Sequence, residues 1–240
     1  MNQAAKVEDT AMHSLIVTPP EQILENLDLL LDNRLLLVPK SEAIIELDAK
    51  TSWFHNGTTK LPRDFTSSSF LLKQSDQKKW ALGVIGNKFT SLVPERLLNL
   101  IQTTCDELIM NAFFDAPVEN GVVLYKNTPR TQLIKPPRPV EVVMGESEHE
   151  VAISVTDFYG SVNSGSIVKH LKKTFQIENY TAPKGEGAGL GLSMSVKRNT
   201  SLFIKVTPGE SSQFVVIFPK VENYKTYLEK SQLIGLTSTK

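Results

Sequence analysis

Residues 105 to 112 read Cys-Asp-Glu-Leu-Ile-Met-Asn-Ala and lie in the longest helical pattern of the chain, residues 94 to 114. Apolar residues recur there at helical spacing, which predicts a long helix with one buried side. On that helix Glu107 and Asn111 stand one turn apart on the same side, and Asp115 extends the row. Such a row is typical of a solvated helix face. It also suits chemistry at phosphates, because a carboxylate can orient or deprotonate a nucleophile while an amide oxygen binds a hard cation.

The segments on either side of this helix alternate between helix and strand patterns. Upstream, the patterns predict helices at about residues 21–32 and 75–85, and strands at 35–39, 43–47 and 69–72. Downstream, they predict strands at 122–125, 140–144, 151–155, 202–206 and 214–218, and helices at 164–175, 192–198 and 224–232. Pro208-Gly209 predicts a hairpin turn between the last two strands. Whether the strands before residue 57 join the main sheet stays open at this point.

Asp157 follows a strand pattern and precedes Phe158-Tyr159-Gly160, which reads as a turn. A turn-forming Asp and Gly is the ordinary explanation of this pattern. The alternative gives Asp157 a ligand, because a carboxylate at a pocket floor accepts hydrogen bonds from an exocyclic amine, and adenine carries such an amine. Gly160 would then let the backbone pass close to the base.

A glycine-rich string, Lys184-Gly185-Glu186-Gly187-Ala188-Gly189-Leu190-Gly191, has glycine at every second position. Backbone amides exposed before a helix form an anion site, and phosphate is the usual occupant. A dinucleotide-binding fingerprint requires a strand directly before the glycines, whereas residues 176–183 are polar and broken. A P-loop is excluded because the chain contains no Gly-Lys-Ser or Gly-Lys-Thr.

In their order along the chain, the three clusters resemble the GHKL superfamily of ATP-binding proteins, which includes histidine kinases, anti-sigma-factor kinases and gyrase. Glu107 and Asn111 match its N box, residues 157–160 its first glycine box, and residues 187–192 its second. The match covers about residues 67 to 219. The resemblance implies the α+β Bergerat fold, a two-layer α/β sandwich with a mixed, mostly antiparallel sheet and helices on one face. A small N-terminal extension would be added to it.

The resemblance also implies ATP and Mg²⁺ as cofactors and gives each matched residue a role. Glu107 would be the general base or water-orienting residue, Asn111 the magnesium ligand, and Asp157 the residue that recognises adenine. The other expected nucleotide contacts are Asp115, Gly160, Lys184, Gly185, Gly187, Ala188, Gly189, Leu190, Gly191 and Ser212. Residues 163 to 184 would form a lid over ATP, in which His170 is expected to be a surface residue.

The chain also departs from the family pattern. Ser161 and Val162 stand in place of a second glycine, and Ser212 replaces a Thr that the family places near adenine. None of the four histidines lies in a recognisable phosphoacceptor helix, which argues against a complete sensor histidine kinase. The resemblance is therefore closest to stand-alone anti-sigma-factor serine kinases.

The resemblance to these kinases implies a regulatory protein of bacterial signalling that phosphorylates Ser or Thr on a protein partner. The partner would be anti-anti-sigma-like, sigma-like or response-regulator-like, and the chain could form a homodimer. Two alternatives remain, a slow ATPase coupled to dimerisation and a non-catalytic module that senses ATP or ADP. We divide the chain into an N-terminal extension at residues 1–57, which could be a small α/β docking element, an ATP-binding domain at 58–220, and a C-terminal helix and tail at 221–240.

Composition narrows the choice of partners. Lys and Arg number 26, as do Asp and Glu, so the formal net charge is zero and no global field favours nucleic acid or anionic lipid. The single Cys105 excludes an intramolecular disulfide and suits a reducing compartment. The apolar stretch at residues 29–38 is interrupted by polar residues and is too short to span a bilayer. We expect a cytoplasmic protein that binds neither nucleic acid nor membrane.

Overall fold

An eight-stranded mixed sheet forms the centre of the protein. The computed structural model describes residues 15–39, 47–56, 59–176 and 200–239. The strands of the sheet are β1 (Leu15–Val17), β2 (Leu35–Val38), β3 (Thr66–Leu72), β6 (Val140–Glu146), β7 (Glu150–Asp157), β8 (Ser201–Thr207), β9 (Ser211–Pro219) and β10 (Gln232–Ser238). A separate hairpin pairs β4 (Val118–Glu119) with β5 (Val122–Val123).

The spatial order of the sheet is β1-β2-β10-β8-β9-β7-β6-β3. The β1–β2 and β10–β8 pairs are parallel, and every other neighbouring pair is antiparallel. The predicted mixed, mostly antiparallel sheet is therefore confirmed.

Helices supply the second part of the α+β architecture. The short helix α1 (Ile23–Asn26) lies between the 3₁₀ turns Pro20–Gln22 and Leu27–Asp32. The remaining helices are α2 (Leu47–Asn56), α3 (Gln77–Phe89), α4 (Glu95–Phe114), α5 (Ser164–Gln176) and α6 (Tyr224–Leu228). The α+β class is confirmed.

The long helix α4 agrees with the sequence pattern that predicted it. Pro94 occupies the N-cap position and Asp115 the C-cap position. Its buried side comprises Leu97, Leu100, Ile101, Thr104, Cys105, Leu108, Ile109, Met110, Ala112, Phe113 and Phe114. These residues pack against the sheet, because α4 belongs to the same apolar cluster as Val151, Ile153 and Val155 of β7. The burial holds the polar row of α4 at a fixed position beside the end of β7.

Helices cover both faces of the sheet, although unequally. One apolar cluster joins the first face to α1, α3, α4 and α5. A second, smaller cluster joins the other face to Trp53 and Phe54 of α2 and to Leu61 and Phe65. The rings of Trp53 and Phe203 lie 5.5 Å apart, in an edge-on arrangement. Placement of α2 on this face departs from the expectation that all helices share one side.

Both ends of the described chain enter the central sheet. β1 and β2, from the predicted extension at residues 1–57, continue the sheet through β10. β10 itself lies between β2 and β8. The predicted helix at residues 224–232 is wrong beyond Leu228, because α6 ends there and Gln232 already begins β10, in which Leu233, Ile234 and Leu236 are buried.

Other differences from the predicted elements are local. The predicted helix at residues 21–32 is broken into α1 and two 3₁₀ turns. The predicted strand at 122–125 shortens to β5. Leu47 begins α2 and does not end a strand, whereas residues 43–46 lie outside the described residues. In the ranges that the structure describes, no helix is long and apolar enough to cross a membrane.

Candidate functional site

A cavity of about 400 Å³ opens between α4, α5 and the end of β7. Residues from all three elements line it, together with the turn after β7 and one residue of β9. The lining comprises Leu108, Asn111, Ala112, Asp115, Ala116, Val155, Asp157, Ser161, Val162, Asn163, Ser166, Ile167, His170 and Phe214. The structure therefore brings Asn111 and Asp115 to the same cavity as Asp157. A volume of this size suits a small-molecule ligand.

Asp157 ends β7 and is only 3% exposed. Its Oδ1 accepts hydrogen bonds from the backbone amides of Tyr159 at 2.9 Å and Gly160 at 3.2 Å. Burial raises the pKa of Asp157, and the backbone hydrogen bonds oppose this increase. The turn residues therefore hold a buried carboxylate at a fixed position in the cavity wall.

Ser212 lies directly opposite Asp157 in the pairing of β7 with β9. It is fully buried. Within the part of the chain that the structure describes, its hydroxyl makes no hydrogen bond of standard geometry. The hydroxyl nevertheless lies near enough to the Asp157 carboxylate to lower the pKa of Asp157. Ser212 thus neighbours the carboxylate without lining the cavity, whereas Phe214 on the same strand lines it.

The cavity walls beside Asp157 are apolar. Val155 and Phe214 pair across β7 and β9 and present neighbouring side chains to the cavity. Leu108 and Ala112 of α4 and Ile167 of α5 form further parts of the wall. An apolar cleft with one buried carboxylate suits a flat, weakly polar ring that carries a hydrogen-bond donor at its edge.

The polar row of α4 is held by an arginine that the sequence patterns did not identify. Nη1 and Nη2 of Arg130 lie 3.2 and 3.1 Å from Oδ1 of Asn111. Nη2 lies 2.7 Å from Oδ2 of Asp115, and Nη1 lies 3.9 Å from Oε1 of Glu107. One guanidinium therefore contacts all three members of the row.

Glu107 is placed beside this arginine and outside the lining of the cavity. Its side chain is 15% exposed, whereas that of Asp115 is 47% exposed. Burial also raises the pKa of Asp115, and the charge of Arg130 opposes this increase. The row thus runs from a half-buried carboxylate to an exposed one, with the Asn111 amide between them.

Gly160 packs against the turn between β8 and β9. Its φ is +57°, and a Cβ at this position would lie 2.1 Å from the backbone oxygen of Thr207. Its own carbonyl accepts a hydrogen bond of 3.1 Å from the amide of Gly209, in the turn between β8 and β9. Gly160 therefore allows the turn after β7 to pack closely against the turn after β8. It lies outside the described lining of the cavity.

The first part of the predicted lid is a packed helix. Ile167, Val168 and Leu171 of α5 are buried in the main core. Nζ of Lys172 lies 2.6 Å from Oδ2 of Asp28, which ties α5 to the second 3₁₀ turn. His170, expected at the surface, lines the cavity. α5 is therefore a fixed wall of the site.

The predicted phosphate-binding string falls outside the residues that the structure describes. This concerns Lys184, Gly185, Gly187, Ala188, Gly189, Leu190 and Gly191, and also the predicted helix at residues 192–198. Their roles stay predictions.

The donors on α4 fit magnesium in part. Among the described residues, no three His, Cys, Asp or Glu side chains are grouped to hold a metal ion. Mg²⁺, however, is commonly held by one or two protein oxygens together with water and substrate phosphates. Oδ1 of Asn111 and the carboxylate of Asp115, which the same guanidinium contacts, are donors of that kind.

Comparison with protein-family models and with curated proteins found no match for the sequence.

Proposed function

We propose that the protein binds ATP with Mg²⁺ in the cavity between α4, α5 and β7, and that it transfers the γ-phosphate to Ser or Thr of a regulatory partner protein. One observation carries this proposal. Asp157, at the end of one strand, and Asn111 and Asp115, on a distant helix, line the same cavity of about 400 Å³. This juxtaposition supports a Bergerat-type ATP site.

The adenine ring would occupy the apolar part of the cavity. Val155, Ile167 and Phe214 offer it apolar contact, and the Asp157 carboxylate accepts a hydrogen bond from its exocyclic amine. Guanine carries an oxygen acceptor at the equivalent position, and two acceptors facing each other in a buried site are unfavourable. The site should therefore prefer adenine nucleotides over guanine nucleotides.

The phosphates would extend toward the exposed end of the polar row. Asn111 and Asp115 would hold Mg²⁺, which supplies positive charge to the phosphate oxygens when it is bound. Glu107, one turn before Asn111, would accept the proton of the attacking Ser or Thr hydroxyl. The new O–P bond would form as the bond to the ADP oxygen breaks.

Calorimetric titration with MgATP and MgGTP tests the binding part of the proposal. We expect ATP to bind about 5- to 150-fold more tightly than GTP, since an unpaired buried group costs about 1–3 kcal/mol. Equal affinities would remove the base-reading role of Asp157. No binding of either nucleotide at millimolar concentration would refute the proposed site as a whole.

Phosphoryl transfer needs a separate measurement. Wild-type protein with γ-labelled ATP should label a protein partner, and Glu107→Ala should abolish most of that labelling. Phosphate release with no labelled protein, together with ATP-dependent dimerisation, would instead indicate a slow ATPase.

A non-catalytic nucleotide sensor is a second candidate function. The contacts of Arg130 favour it, because the guanidinium lies 3.9 Å from the Glu107 carboxylate and occupies the oxygen of Asn111. Tight ATP binding without turnover, combined with a partner affinity that changes with nucleotide, would select this function.

A further inference from the structure

Arg130 places a permanent cation beside the row of oxygen donors on α4. Its two terminal nitrogens both contact Oδ1 of Asn111, and one of them also contacts Oδ2 of Asp115 at 2.7 Å. The Arg130 side chain is 28% exposed, so solvent screens these interactions only in part. The guanidinium therefore uses the oxygen atoms that a divalent metal would use.

The loop that carries Arg130 is anchored on both sides of it. The amide of Thr128 donates to the carbonyl of Tyr125 at 3.0 Å, and that of Gln132 donates to the carbonyl of Pro129 at 2.9 Å. Further along, the buried Ile134 and Ser75 exchange hydrogen bonds, with the Ile134 amide 3.0 Å from the Ser75 hydroxyl. These contacts order the loop on both sides of Arg130.

We propose that Arg130 competes with the divalent metal for Asn111 and thereby makes metal binding depend on the nucleotide. This inference rests on the proposed function. Two cations cannot share the Asn111 oxygen, because they repel each other at short range. A metal ion alone must displace the guanidinium from Asn111 without offering it a new anionic partner.

A metal ion that binds together with ATP brings a new anionic partner for Arg130. The phosphate oxygens are strong acceptors for a guanidinium, and arginine binds them through two parallel hydrogen bonds. Arg130 can then leave Asn111 for the phosphates while the metal binds Asn111. Arg130 is thus a positioning residue that selects the metal–nucleotide complex over the free metal.

Binding of Mn²⁺ alone tests the competition, and the free ion can be measured by electron paramagnetic resonance. Arg130→Met and Arg130→Gln remove the charge, and we expect each to bind Mn²⁺ about tenfold more tightly than wild type without nucleotide. Arg63→Met is the matched control, because it removes an exposed arginine near the second apolar cluster. It should leave Mn²⁺ affinity unchanged.

A second substitution locates the effect. Adding Asn111→Ala to Arg130→Met should abolish the gain in Mn²⁺ affinity, because the shared oxygen is then absent. Mn²⁺ affinity equal to wild type in both Arg130 variants, or a gain that survives Asn111→Ala, would overturn the role of Arg130. Failure of the wild type to bind ATP would refute the proposed function instead, since the Mn²⁺ titration contains no nucleotide.

Discussion

Replacing Asp157 with Asn changes the proposed adenine contact with little change in shape. The Oδ1 atom can continue to accept from the amides of Tyr159 and Gly160, at 2.9 and 3.2 Å in the wild type. The second carboxylate oxygen becomes an amide NH₂, which opposes the adenine amine with another donor. We expect a loss of about 1–3 kcal/mol in ATP binding, or about 5- to 150-fold in Kd.

The same substitution should make the folded protein more stable at neutral pH. Burial raises the pKa of Asp157 in the folded state, so the ionised carboxylate is less favourable there than in the unfolded chain. Below the unfolded pKa of about 3.9 the carboxyl is protonated in both states and costs the folded protein nothing. The folded protein loses stability as the pH rises through the folded pKa, because the buried carboxyl then has to ionise. Asn carries no charge, so Asp157→Asn should have a higher Tm than wild type at pH 7.

Calorimetry and thermal unfolding at two pH values measure both effects. The difference in Tm should shrink as the pH falls through the raised pKa of Asp157 in the folded protein and on toward the unfolded value of about 3.9. Asp64→Asn is the control, because Asp64 is exposed. Unchanged ATP affinity in folded Asp157→Asn would refute the adenine contact. A variant less stable than wild type at pH 7 would refute the argument from burial.

Three further substitutions test other contacts. Glu107→Gln should lower phosphoryl transfer by about 10²- to 10⁴-fold in a labelling assay, while its ATP affinity stays within about threefold of wild type. Full transfer by this variant would exclude Glu107 as the base. Gly160→Ala should destabilise the protein by roughly 1–3 kcal/mol in urea unfolding, because the new Cβ would clash with the backbone oxygen of Thr207 and the φ of residue 160 is +57°. Unchanged stability would contradict this packing. Tyr227→Phe should cost about 1 kcal/mol in the same assay, since the buried Tyr227 hydroxyl lies 2.6 Å from that of Thr200, and a neutral result would show that the contact adds nothing.

The long helix and the central strands were predictable because their patterns are local. α4 repeats its apolar positions over 20 residues, so the pattern itself fixes which side is buried. β7 alternates clearly, and Asp157 follows its last apolar residue, Val155, by two positions. The placement of Asn111, Asp115 and Asp157 around one cavity followed from the resemblance and not from periodicity.

The elements that sequence patterns missed depend on distant parts of the chain. The predicted helix ended at residue 232, where β10 begins, and β10 is defined by its pairing with β2 and β8, two strands that lie far away in the sequence. Arg130 lies in a loop without periodicity, and only the folded chain places its guanidinium next to α4. The contact of Gly160 with the β8–β9 turn could not be inferred from residues 157–160, and its expected contact with a ligand stays a prediction.

The pairing of β2 with β10 has a consequence for how the chain is made. The amide of Ser238 donates to the side chain of Asn33, a residue that lies 205 positions earlier. The ribosome synthesises the Leu-Leu-Leu-Val segment of β2 long before β10, and all four of these residues are buried in the finished protein. During most of translation β2 therefore lacks one of its two neighbouring strands, and we expect chaperones to bind the nascent chain at this apolar segment.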